Sequence, residues 1–184
     1  MYKQINVKEH FGAKRDGVTD DTSAIQATIN AAISNLGTVY LPKGDYAISA
    51  PLILDTLVGK KITIFGDGPM QSRLIRHTSF TGTSGMLIGT TDDVTNPTYA
   101  RHLEGCTFRD FGILCINGAS RADVGINFPV IIHSKFERVW VSYAGKCGFV
   151  LDYNYSNLFD QARADNCTLH GFVLGVQTEV NKCI

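Results

Sequence analysis

Apolar residues in the second half of the chain return at fixed offsets. Laying SKFERVWVSYAGKCGFVL, from Ser134, over NLFDQARADNCTLHGFVL, from Asn157, puts Phe136 on Phe159, Val139 on Ala162 and Val141 on Ala164. The two GFVL tetrapeptides then coincide without a gap. Upstream, Phe108, Phe111 and Ile113 keep the same offsets, and GINF stands in for GFVL after about five extra residues around Asn117–Arg121. Each unit reads as two or three short strands separated by Gly, Asn or polar turns. Such strands cannot bury a face alone, but stacked coils share one core. Equivalent residues of successive coils then lie about 4.8 Å apart. An antiparallel sandwich gives no reason for this register, so the expectation is an all-β chain folded as a parallel β-helix.

Short strands also precede the repeat, at Thr38–Pro42, Tyr46–Ser49, Ile62–Gly66, Arg73–Ile75 and Met86–Gly89. A polar stretch without periodicity, Gly89–Arg101, follows them. The one strong helical signal is DDTSAIQATINAAIS, which predicts a helix over residues 20–34. Ile25, Ile29, Ala32, Ile33 and Leu36 form its apolar stripe, and Asp20 or Asp21 is placed to cap it. An amphipathic helix ahead of the first coil seals the open end of a solenoid. The organisation expected is a single β-helix domain over 1–184, with a cap over 1–36 and coils over 37–184. Asn181-Lys182-Cys183 reads as the start of a further coil, so the chain is expected to be the N-terminal part of a longer solenoid.

Composition removes several function classes. The chain has 17 basic and 17 acidic residues, which leaves no electrostatic footprint for nucleic acid. No apolar run approaches the roughly 20 residues that cross a bilayer, so no membrane insertion is expected. The opening MYKQINVKEHFG carries no apolar signal segment. Five cysteines without CxxC spacing argue against a zinc site or a disulfide framework.

FGAKRDGVTDDTSAIQATINAA, then GTVYLPKGDYAIS and ITIFGDG, resembles the opening of the pectate-lyase-like superfamily of right-handed parallel β-helix proteins. That superfamily includes phage tail spikes, mannuronan epimerases, polysaccharide lyases and glucanases. The resemblance implies a right-handed coil, a carbohydrate ligand and no cofactor. Among these, the tail-spike type implies a homotrimeric polysaccharide depolymerase located on a virion tail or outside the cell. The epimerases carry an Asp-Pro-His signature soon after a Gly-Phe. Here Gly148-Phe149 runs into Val150-Leu151-Asp152, so only Asp152 stands as a displaced remnant.

Polysaccharide cleavage needs paired carboxylates, or a base with charge neutralisation. One position after each coil phenylalanine the alignment reads Arg109, Glu137, Asp160, and two positions after it Asp110, Arg138, Gln161. Glu137 and Asp160 would stack one coil apart, near the roughly 5 Å of a retaining pair. The same columns also make cross-strand charge pairs, Arg109 with Glu137 and Asp110 with Arg138. Candidate catalytic residues are therefore Glu137, Asp160 and Asp152. Trp140 alternates outward between Val139 and Val141, with Arg163 next in its column, and the turn LDYNYSN offers Tyr153 and Tyr155. These four are candidate substrate-binding residues. Asp16, Asp20 and Asp21 are too few for a calcium loop; Gly17 reads as a turn and Asp20 or Asp21 as helix cap, so no metal is expected. The histidines show no spacing that suggests a relay. The stretches Gly89–Arg101 and Asn117–Arg121 are candidate groove walls.

Overall fold

A computed structural model describes residues 4–35, 37–54, 61–89, 102–175 and 182–183. The coils stack as expected. One path of parallel strands runs Gln4–Asn6, Thr38–Leu41, Thr63–Gly66, Thr107–Leu114, Lys135–Ser142, Leu158–Asp160 and Lys182–Cys183. Thr107–Leu114 and Lys135–Ser142 are long enough to turn a corner. Their first legs join this path, and their second legs pair with Ser72–Arg76 and Arg163–Asp165 respectively. A second sheet stacks Leu52–Leu54, Leu87–Gly89, Val124–Asn127, Cys147–Leu151 and His170–Leu174; a third stacks Leu103–Glu104, Val130–Ile132 and Tyr153–Tyr155. The architecture is a right-handed parallel β-helix.

The register follows the sequence alignment residue for residue. Phe108 pairs with Phe136 and Phe136 with Phe159, while Phe149 pairs with Phe172. Inside the coil these rings form stacks, with centroids 5.1 Å apart for Phe108–Phe136 and 5.0 Å for Phe136–Phe159. Phe108, Phe111, Phe136, Val139, Val141, Phe149 and Leu151 are fully buried. The five-residue insertion closes into an antiparallel hairpin, Ile116–Asn117 against Ser120–Arg121.

The corners are made by single residues in the left-handed region. Asp110, Arg138 and Gln161 have φ of 60°, 49° and 53° and occupy one column at the bend between the two legs. His133 and Ser156 do the same before the first leg, and Tyr143 and Asn166 after the second. A non-glycine residue there costs roughly 1–2 kcal/mol. Bending the chain within one residue keeps both legs hydrogen-bonded to their neighbours. At one corner Ser134 and Asn157 add side-chain support: Ser134 Oγ accepts the Cys106 N–H, and Asn157 Oδ1 accepts the Ser134 N–H.

At the N-terminal end, helix α1 (Val7–Phe11) and helix α2 (Thr22–Asn35) cover the first coil. α1 has no counterpart in the sequence expectation. α2 buries Ile25, Thr28, Ile29 and Ala32, with Ile33 packed against the core; Leu36 lies outside the described residues. Asp20 Oδ1 accepts the Thr22 N–H, so this carboxylate serves the helix start. Asp21 instead turns back to accept the Lys14 and Arg15 N–H groups at 2.6 and 2.8 Å. Asp16–Asp20, where Gly17 reads as a turn from the sequence, forms a strand beside Gly44–Ile48. Asp16 Oδ1 accepts the Val18 and Thr19 N–H groups. Cys106, Cys115 and Cys147 are free and buried, and burial pushes the Cys115 thiol far up.

Candidate functional site

The outer face of the second leg carries a cleft of about 400 Å³. Its floor is set by strand alternation. Val139 and Val141 point inward, so Trp140 points out, half-exposed, in the column Arg73, Gly112, Trp140, Arg163. Two positions along, Leu114, Ser142 and Asp165 form a second outward column.

One wall comes from a corner that is not made by a single residue. Between Thr63–Gly66 and Ser72–Arg76 the chain runs through Asp67–Gln71, and Gly68 N–H donates to the Asp110 carbonyl at 2.8 Å. Pro69 and Met70 are thereby laid beside the next coil. Only glycine fits at position 112, because a Cβ there would lie 2.3 Å from the Pro69 carbonyl oxygen. Tyr143 and Asn166 form the opposite wall, backed by the hairpin. The Arg121 guanidinium lies 5.7 Å from the Tyr143 ring centroid, and its Nη1 donates to the Asn166 carbonyl at 3.3 Å. Asn117–Arg121 thus stands at the edge of the groove. The other expected wall, over residues 90–101, lies outside the described residues.

Both arginines of the floor are matched by carboxylates. Arg73 Nε and Nη2 donate to Asp45 Oδ1 and Oδ2 at 2.7 and 2.6 Å, which raises the guanidinium pKa further. Arg163 Nη2 lies 3.0 Å from Asp165 Oδ2, with its guanidinium 5.3 Å from the Trp140 ring centroid. Of the candidate residues, the cleft therefore gathers Trp140 and Arg163.

Glu137 and Asp160 lie side by side in one column of the first leg, as the alignment requires. Glu137 Oε1 is 2.5 Å from Lys135 Nζ. Only one of the two expected charge pairs forms. Asp110 receives Arg138 through Nε at 2.6 Å and Nη2 at 3.1 Å, and the Arg138 guanidinium holds the Asp110 carboxyl below the usual range. Arg109 lies opposite Glu137 but turns toward the preceding coil. It covers the Phe65 ring at 4.7 Å and contacts Asp110 at 3.2 Å. Attraction to the Phe65 face draws the guanidinium away from Glu137, which Lys135 already engages.

Asp152 is exposed at the turn between the second and third sheets, and Tyr153 and Tyr155 lie on the third. There the structure assembles a group that residue spacing did not reveal. Glu104 Oε1 lies 3.5 Å from His133 Nδ1, and Oε2 lies 3.5 Å from His102 Nε2. Extending the coil alignment one strand upstream, to pair Glu104 with Ile132, would have exposed the cluster. Among the described residues no three His, Cys, Asp or Glu side chains are arranged to hold a metal ion, and no helix is long and apolar enough to cross a membrane.

Comparison with known proteins gives the fold a family. Residues 4–108 match the family described as rhamnogalacturonase A/epimerase, pectate lyase-like. Alginate lyase 7 of Azotobacter vinelandii is 62% identical over 47 residues, 25% of this chain and 5% of that protein. The capsule K30/K69-specific depolymerase 1 of Klebsiella phage K5-2 is 77% identical over 26 residues, 14% of this chain and 3% of that protein. The chain thus matches only a small part of these relatives. Among solved structures, the A-module of mannuronan C-5 epimerase AlgE6 of Azotobacter vinelandii superposes with a TM-score of 0.67 at 24% identity. It covers 100% of this chain and 56% of that one, a likeness of fold.

Proposed function

The chain belongs to the rhamnogalacturonase A/epimerase, pectate lyase-like family, and on that premise we propose that it is a polysaccharide-degrading β-helix domain of the phage tail-spike type, directed at a bacterial surface glycan. The observation that carries this reading is the cleft over Trp140. It offers an indole and fixed polar groups in Arg163, Asp165 and Ser142 on rigid strands, with a second aromatic, Tyr143, at the corner that follows. That combination suits a sugar, whose C–H faces stack on aromatic rings while its hydroxyls need polar partners. The match to a capsule-specific phage depolymerase supports the tail-spike context. In this reading Glu137 and Asp160, stacked one coil apart, are the carboxylates for bond cleavage, with Asp152 as the alternative acid. Tyr153 and Tyr155 add glycan contacts, and the working assembly is a homotrimer on a virion tail or outside the cell.

The test is incubation with capsular and O-antigen polysaccharides. New reducing ends indicate hydrolysis, and unsaturated-uronate absorbance indicates elimination. A glycan that binds and yields neither would replace the enzyme with a binding-only appendage. A monomer in light scattering would remove the trimer and favour a polysaccharide lyase or hydrolase that acts alone.

A further inference from the structure

Every charge that lines the Trp140 cleft is matched within the chain. Among the described residues the charged side chains of its lining are Arg73, Arg163 and Asp165. Arg73 sets two nitrogens on Asp45, its partner on the preceding coil, and Arg163 Nη2 lies 3.0 Å from Asp165 Oδ2. Arg121 makes no ion pair among the described residues. It stands at the edge, against the Tyr143 ring and the Asn166 carbonyl, outside the lining itself.

This arrangement separates sugars by charge. A uronate carboxylate is held best by a guanidinium that has no carboxylate of its own. The guanidinium beside the indole already has one, so an incoming carboxylate would also meet Asp165. Like charges brought together disfavour such a ligand. A hydroxyl meets no such opposition. The N–H groups that Arg73 and Arg163 keep beyond their ion pairs donate to hydroxyl oxygens. Asp165 also has acceptor capacity left: Oδ2 contacts Arg163, and Oδ1 is buried with no hydrogen-bond partner among the described residues. A buried acceptor without a donor is unfavourable. The last torsion of aspartate is broad and roughly two-fold, so either oxygen can turn to a hydroxyl in the cleft. Ser142, paired with Asp165 one coil earlier, supplies a further hydroxyl in the same column.

We propose that Asp165 is the specificity-determining residue of the cleft. By matching Arg163 beside Trp140 and offering an acceptor to a sugar hydroxyl, it admits a neutral pyranose and turns away a uronate. The proposal rests on the reading of the cleft as a glycan site and adds to it which charge class of sugar sits on the indole.

The experiment measures binding of matched oligosaccharide pairs in gluco-, galacto- and manno-configuration, each neutral tetrasaccharide against its uronic-acid counterpart, at fixed ionic strength. Wild type, Asp165→Asn, Arg163→Gln and Arg121→Gln are compared. Wild type is expected to bind the neutral member of its preferred pair about tenfold more tightly, and Asp165→Asn to bring the two within about twofold. Uronate bound by wild type as tightly as its neutral partner overturns the proposal and leaves the glycan reading standing. So does a preference unchanged in Asp165→Asn, or uronate binding that disappears in Arg121→Gln, which moves charge recognition to the cleft edge. If no member of any pair binds, the glycan reading and this specificity fall together.

The charge matching is read separately, without a glycan. Trp140 is the only tryptophan, so quenching of its fluorescence by iodide, divided by quenching with neutral acrylamide, reports the charge beside the indole. That ratio is expected to rise about twofold in Asp165→Asn, where Arg163 is left unmatched, and to fall in Arg163→Gln. A ratio unchanged in both variants overturns the matching on which the proposal stands.

Discussion

The Arg163 guanidinium lies over the Trp140 ring, one coil away in the same outward column and 5.3 Å from its centroid. Arg163 also contacts Asp165, so one charge is shared between an aromatic face and a carboxylate in the cleft. Trp140 is the only tryptophan of the chain, which makes its fluorescence a direct reporter of this contact. Arg163→Ala is expected to change that emission while lowering stability by only about 0.5–1 kcal/mol, the usual worth of an exposed cation–π contact. Emission identical to wild type would show that the guanidinium does not rest on the ring in solution.

Gly112→Ala tests the wall of the cleft. The added methyl group meets the Pro69 carbonyl oxygen, and the Asp67–Gln71 loop has to move. Overpacking of this kind costs roughly 1–3 kcal/mol. The expected result is a lower Tm together with altered glycan binding, because the same loop lines the cleft. A Tm equal to wild type would mean that the loop does not sit over the second leg.

Phe136 is the middle ring of the inner stack, fully buried between Phe108 and Phe159 and edge-on to Phe149. Phe136→Ala removes contacts in three coils and leaves a cavity that the rigid sheets cannot close. The expected loss is about 3–5 kcal/mol, read as a shift in denaturant midpoint. A loss below about 1 kcal/mol would argue against a continuous stacked core.

Acid should weaken the fold through Asp110 and Asp16. The Asp110 carboxyl is held low by Arg138, and that of Asp16 is lowered to about 2 by the Thr19 and Val18 N–H groups. For a carboxyl whose folded pKa is depressed, the stabilisation is present above the unfolded value of about 3.9 and is lost as pH falls through the folded one. Tm should therefore drop as pH falls from about 4 toward 2, and Asp110→Asn should show a smaller drop than wild type. Parallel pH curves for the two would show that the Asp110–Arg138 pair does not contribute.

The residues differ in how far their positions could be read in advance. Phe136 over Phe159, Val141 over Ala164 and Trp140 facing outward follow from the repeat, because stacked coils must bury the same columns and strand direction alternates without exception along each leg. The hairpin over Asn117–Arg121 follows likewise, since extra residues in a fixed coil have to leave it. Partner choice at the surface was not legible. Arg109 and Glu137 are in register, yet one goes to Phe65 and Asp110 and the other to Lys135.

What the sequence determined by itself is the periodic interior: a β-helix, its register and which side of each strand faces out. Those depend only on an apolar repeat, which has to be in phase for any coil to bury its face. What the tertiary structure decided is the chemistry outside. The left-handed corners set where each side chain leaves the coil, the loop over Gly112 builds a cleft wall, and stacking brings Glu104 beside a histidine of the next coil. These contacts join residues far apart in the chain through directions that only the folded backbone defines.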